Sequence, residues 1–234
     1  MRKLIQYIPL CLILVAYFLL GSIASPIKDV IEVSSGDYFK HLTIVLDAGH
    51  GGRDNGASAN GVLEDELNLI VTLKLKEKLE MMGSTVILTR DGDYDLASEN
   101  ASNRKREDMS RRAEIINDSN AVLFLSIHMN KYSSSIVNGA QVFYRVNDAA
   151  SKLLAECLQD KMKEYLDSKK YEAVGNYYIL NETNVAGVLI ECGFISNSEE
   201  ALRLQDDDYQ DKVVSTIIKG IYEYIDIVYG NVIE

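Results

Sequence analysis

The chain has 234 residues, 47% of them hydrophobic and 25% charged, enough for one sizeable core plus a short appendage. Its formal net charge of −11 excludes a nucleic-acid binder, which needs a basic face. A polyanionic ligand would likewise have to be held by local contacts in a cleft, because the bulk field repels it.

Arg2 and Lys3 precede an uncharged apolar run from Leu4 to Ile23, about the length that spans a bilayer as a helix. The positive flank predicts that the N-terminus stays in the cytoplasm and the rest is exported. Ser22-Ile23-Ala24 weakly resembles a signal-peptidase site, so residues 1–24 read as a signal peptide or a retained membrane anchor. Residues 25–41 read as a linker, and 42–230 as the folded domain.

Within that domain, strands and helices alternate. Leu42 to Leu46 is a β-branched apolar run that ends in Asp47-Ala48-Gly49-His50-Gly51-Gly52. Leu67, Ile70, Val71, Leu75 and Leu79 recur at helical spacing between Glu64 and Met82, with Gly83 as the stop. Thr85–Leu88 is a strand and 103–118 a polar-faced helix. Ala121 to Ile127 is a nearly continuous apolar strand, which predicts burial on both faces. A strand at 141–144, a helix at 148–168, a buried strand at 185–190 and an amphipathic helix at 207–228 complete the order. The pattern predicts an α/β fold: a single domain with a twisted, mostly parallel central sheet and helices on both faces.

The three cysteines, Cys11, Cys157 and Cys192, match no zinc-knuckle or redox spacing. Cys192 reads as a buried thiol. A Cys157–Cys192 disulfide is the alternative outside the cytoplasm, and the free thiol is the simpler expectation.

Of the three histidines, His41, His50 and His128, the last two follow apolar strands, and Glu191 ends a third apolar run. In open α/β sheets the crevice beyond the carboxyl ends of the strands is where ligands bind. Glu64 starts a helix, where a carboxylate also favours the helix N-terminus. Taken singly, each of these residues has a structural explanation. Together, His50, Glu64 and His128 form a His₂Glu set of the kind that holds catalytic zinc with one position open. Glu191 is then available as general base. The Gly49-x-Gly51-Gly52 loop lacks the Gly-Lys-Ser/Thr of a phosphate-binding loop, and no Gly-x-Ser-x-Gly elbow occurs.

Leu46-Asp47-Ala48-Gly49-His50-Gly51-Gly52-Arg53-Asp54-Asn55-Gly56-Ala57 resembles the opening signature of the zinc-dependent N-acetylmuramoyl-L-alanine amidases. Glu64 with Asn68-Leu69, Ser126-Ile127-His128-Met129-Asn130, Gly139-Ala140 and Val188 to Asn197 resemble later motifs of that family, in order, over residues 42–228. The resemblance implies one Zn²⁺ held by His50, Glu64 and His128, with Glu191 catalytic. It further implies hydrolysis of the amide between N-acetylmuramic acid and L-alanine of the stem peptide. Arg112 and Asn117 match a helix motif and are expected to be structural supports. Asp54 and Asn130 are expected to orient the ligands from behind.

The chain departs from the family pattern at Ile179-Leu180-Asn181, where relatives carry Arg last, and at Ala186-Gly187, where they carry Pro. Both departures are expected near the cleft. The short segment after His128 leaves no room for an autoinhibitory helix, so control falls to another device, an activating protein partner among them. With no appended wall-binding repeat, the chain most resembles the germination-specific amidases that act on spore-cortex peptidoglycan. Its expected partners are a glycan strand with stem peptide and, through the N-terminal segment, the membrane. Its expected place is the outer face of the cytoplasmic membrane or the cortex space. The competing readings are a catalytically weak wall-binding scaffold and a zinc peptidase of the stem peptide.

Overall fold

The computed structural model describes residues 38–230. The expected signal or anchor, residues 1–24, and the first part of the linker lie outside the described residues. Among the described residues no helix is long and apolar enough to cross a membrane.

The described chain begins inside the fold. Phe39 is buried, its ring stacks on Tyr222, and its carbonyl accepts the Ser84 hydroxyl. Residues 38–41, expected in the linker, therefore fold with the domain. A single aromatic that joins the core carries no periodic signal by which a strand or helix could be recognised.

Among the described residues eight strands follow, in the order β1 (Thr43–Ala48), β2 (Ser58–Ala59), β3 (Val62–Leu63), β4 (Thr85–Leu88), β5 (Leu123–Asn130), β6 (Gln141–Tyr144), β7 (Ala173–Val174) and β8 (Gly187–Phe194). The helices are α1 (Glu64–Met81), α2 (Arg104–Asp118), α3 (Ala149–Leu166), α4 (Tyr178–Asn181), α5 (Ser198–Leu204) and α6 (Asp207–Tyr229). The main sheet runs β4-β1-β5-β8-β6-β7. Its first four strands are parallel, β6 is antiparallel to β8, and β7 runs parallel to β6. A separate hairpin joins β2 to β3.

Alternation along the central strands divides the core into two layers. Ile44 and Leu46 of β1, Leu123, Leu125 and Ile127 of β5, and Val188 and Ile190 of β8 pack with apolar residues of α1, α3 and α6. The intervening Val45, Phe124 and Leu189 pack on Ala113 and Ile116 of α2 and on Ile179 and Leu180 of α4. Burial on both faces is why these strands read as unbroken apolar runs. Past their last apolar residues, the second face carries the polar groups Asp47, Ser126, His128 and Glu191. Cys157 and Cys192 are buried free thiols.

Candidate active site

His50, Glu64 and His128 each offer one donor atom within 4.8 Å of the others. His50 lies two residues beyond β1, His128 near the end of β5, and Glu64 at the first position of α1. Oε1 of Glu64 is 2.9 Å from Nδ1 of His128 and 3.3 Å from Nε2 of His50. The two imidazoles meet edge to face, 5.0 Å apart. Glu64 does not cap its own helix: its Oε2 accepts the Ala57 amide at 2.7 Å, and the residue before it supplies no side-chain cap. The hairpin β2–β3 between Ala57 and Glu64 folds the chain back to make that contact.

Glycines clear the space. A Cβ on Gly49 would collide with the imidazole of His128, and one on Gly56 would lie 2.6 Å from Glu64 Oε2 and 2.7 Å from Cδ2 of His50. Gly56 also has φ +64°, a region that favours glycine. His50 itself has φ +62°, uncommon for a residue with a side chain. The surrounding contacts hold it there. Nη2 of Arg112 donates to the His50 carbonyl at 2.6 Å, and Nη1 donates to the Ala48 carbonyl and to Asp47 Oδ1. Thr89 and Ser126 hydroxyls complete Asp47, and Arg112 Nε reaches Asp108 at 3.0 Å. Arg90 and Asn68 both donate to the Gly49 carbonyl. Arg112 thus acts as the expected support, and Asn117 joins α2 to the backbone of Glu182 and Asn184.

Asp54 Oδ2 lies 3.1 Å from His50 Nδ1, the nitrogen facing away from Glu64. Asn130 borders the same cleft and its carbonyl accepts the Ile195 amide, but its side chain makes no hydrogen bond to His50, Glu64 or His128. Glu191, paired in register with His128, faces the group from β8. The residue is 8% exposed and its Oε2 is buried with no hydrogen-bond partner.

Charge follows geometry. Burial pushes the Glu191 carboxyl up to about 7, with Glu64 adding and His128 and His50 opposing. Burial opposes ionisation of Glu64 too, but hydrogen bonds from His128 and His50 outweigh it and hold that carboxyl far below the usual range. His50 is raised, the pull of Glu64 and Asp54 exceeding the cost of its burial.

These residues line a cleft of about 380 Å³ together with Lys105, Asp108, Met109, Lys131, Tyr177, Tyr178 and Ile179. The departure at 179–181 borders it through Ile179, as expected, although Asn181 itself does not line it; Ala186 does not reach it, contrary to expectation. Asn181 hydrogen-bonds Asn176, and the Ala186 carbonyl accepts the Phe124 amide just before β8 begins, at the far end of that strand from Glu191. Tyr177, Lys131 and Asp108 were not marked by the sequence, since no spacing singles them out.

The donor set suits a divalent cation. A four-coordinate ion with bonds of about 2 Å separates its ligands by roughly 3.3 Å, the His50–Glu64 spacing found here. Two imidazoles sharing one carboxylate oxygen, faced by a second carboxylate without a partner, define a hydrolytic class of protein built on an α/β sheet.

Comparison with known proteins narrows that class. The family model for N-acetylmuramoyl-L-alanine amidase matches residues 44–223, and the chain belongs to this family. It is 38% identical over 219 residues to the germination-specific N-acetylmuramoyl-L-alanine amidase of Bacillus subtilis, covering 88% of this chain and 92% of that protein. It is 34% identical to the amidase LytC of the same organism, covering 78% of this chain but 35% of LytC. Among solved structures, the CwlD amidase from Clostridioides difficile in complex with the GerS lipoprotein aligns with a TM-score of 0.77 and 40% identity, over 80% of this chain and all of that one. The catalytic domain of CwlV from Paenibacillus polymyxa aligns at 0.70 with 31% identity, over 80% and 99%. The chain is an N-acetylmuramoyl-L-alanine amidase, a hydrolase of peptidoglycan.

Proposed function

We propose that His50, Glu64 and His128 hold one zinc ion and that Glu191 is the general base for cleaving the amide between muramic acid and L-alanine. The observation that carries this is the convergence of three donor atoms within 4.8 Å beside a buried, unpartnered carboxylate oxygen. Bound there, zinc supplies a Lewis acid that polarises the carbonyl and acidifies water. Glu191 takes the proton of the attacking water and passes it to the nitrogen of L-alanine as the carbon–nitrogen bond breaks. The products are a lactyl carboxylate on the glycan and a peptide with a free amine. Asp54 fixes the His50 ring from its other nitrogen, and the Arg112–Asp47 pair fixes the loop that carries it. Substituting Glu191→Gln keeps the shape and removes the base, so kcat falls by roughly 10²–10⁴ with zinc content unchanged. Near-normal turnover would remove Glu191 from the mechanism.

The substrate we propose is spore-cortex peptidoglycan, where stem-peptide removal precedes the muramic-δ-lactam formation needed for germination. Similarity to a germination-specific amidase over 92% of that protein's length supports this. Cortex muropeptides from a strain lacking the chain should contain no muramic-δ-lactam by mass spectrometry; its persistence would sink the assignment. The site of action is outside the cytoplasmic membrane, with residues 1–24 as signal peptide or anchor.

A similar amidase was solved bound to a lipoprotein, which supports a protein partner here as well. That partner acts by stabilising the metal: His50 and His128 are only partly buried, so water competes for the ion. Zinc affinity should rise when the partner is added; tight zinc binding and full activity in its absence would contradict this.

A further inference from the structure

The cleft shares the acidity of the whole chain: Asp47, Asp54, Glu64, Asp108 and Glu191 all border it. Three side chains of fixed positive charge border it as well, Lys105, Arg112 and Lys131. Arg112 is buried and committed to Asp47 and Asp108. Lys105 lies 3.4 Å from Asp54. Lys131 differs from both. It is exposed, follows the last residue of β5, and its Nζ donates at 3.0 Å to the carbonyl of Ser58, a neutral acceptor. Among the described residues of the cleft it is the cation with no carboxylate at ion-pair distance. Its anchor is close to the chemistry, since Ser58 adjoins Ala57, whose amide holds Glu64.

The two sides of the scissile amide differ in charge. The glycan side offers hydroxyls and N-acetyl groups, its lactyl acid being tied up in the amide. The peptide side carries free carboxylates, the first on the second stem residue, a glutamate linked through its side chain. That α-carboxylate lies about two residues from the bond cut, roughly 7 Å of extended chain. A flexible lysine stem with a compact charge can span the remainder. Building on the site reading above, we infer that Lys131 recognises this α-carboxylate. It makes the enzyme select stem peptides bearing the free acid over those in which the same group is amidated. A chain of net charge −11 thereby holds an acidic substrate by one local contact.

The test uses zinc-loaded full-length protein and two glycan–peptide substrates that differ only in that carboxylate or carboxamide. Wild type should show a KM about fivefold lower for the acid form, the scale of a solvent-accessible ion pair. Lys131→Met should raise the KM of the acid form to that of the amide, and Lys131→Arg should retain the preference. Equal KM values in wild type, or an undiminished preference in Lys131→Met, overturn the inference. A wild-type protein that cleaves neither form overturns the site reading, and this inference with it.

Discussion

At the residue scale, the site depends on backbone positions more than on the reactive groups alone. Gly49 leaves room for the His128 ring. Gly49→Ala should therefore lower zinc affinity and activity together while the far-ultraviolet dichroism stays native; an active, zinc-replete variant would refute the clearance argument. Asp54→Asn keeps the shape but weakens the partner of His50, for which a 10- to 100-fold loss of zinc affinity is expected. Competition with a chromogenic chelator measures it, and unchanged affinity would show that Asp54 does not orient the ligand. Asp47 gives a prediction about pH. Burial works against its charge, but Arg112 and the hydroxyls of Ser126 and Thr89 bring its carboxyl from 3.8 down to about 2. A carboxyl depressed in the folded state stabilises it above the unfolded value and loses that contribution as pH falls through the folded one. About 2 kcal/mol should therefore disappear between about pH 4 and pH 2. Urea unfolding in the presence of a chelator should show this step in wild type. Asp47→Asn should lack the step and be less stable throughout, because buried Arg112 keeps only Asp108 of its two carboxylate partners.

At the scale of elements, long buried strands were legible because burial on both faces writes an unbroken apolar run. β4 and β6 have the bounds expected, and α1 ends where Gly83 turns with φ +95°. The hairpin β2–β3 was not legible: its strands are Ser-Ala and Val-Leu, too short for any period to emerge. The reversed direction of β6 is set by how its neighbours connect, which local pattern does not encode. The proposed ligands His50 and His128 stood out as strand-end histidines. Glu64 was ambiguous until the hairpin brought Ala57 against it, and Lys131 and Tyr177 gain their meaning only from the cleft they border. Gly187, beside one departure from the family pattern, has a packing role of its own. The Phe124 ring of β5 lies where a Cβ would stand, so glycine at the start of β8 lets two central strands pack. Gly187→Ala should cost about 1–3 kcal/mol through overpacking, read as a lower melting temperature. An unchanged melting temperature would mean that Phe124 moves aside freely.

For the whole molecule, one mostly parallel sheet brings His50, His128 and Glu191 from distant parts of the sequence to one edge, and Glu64 at the start of α1 joins them. The two-layer core makes the platform rigid, and the ion would link β1, β5 and α1 across it. Because the folded chain alone presents this donor set, zinc should raise the melting temperature. The most direct measurement is diffraction from crystals grown with zinc, recorded at energies above and below its absorption edge. One strong anomalous peak per chain is expected, bonded to His50 Nε2, Glu64 Oε1 and His128 Nδ1 at about 2.0–2.2 Å, with the Glu191 carboxylate facing it unbonded. A peak held by other residues, or none in this cleft at saturating zinc, would contradict it.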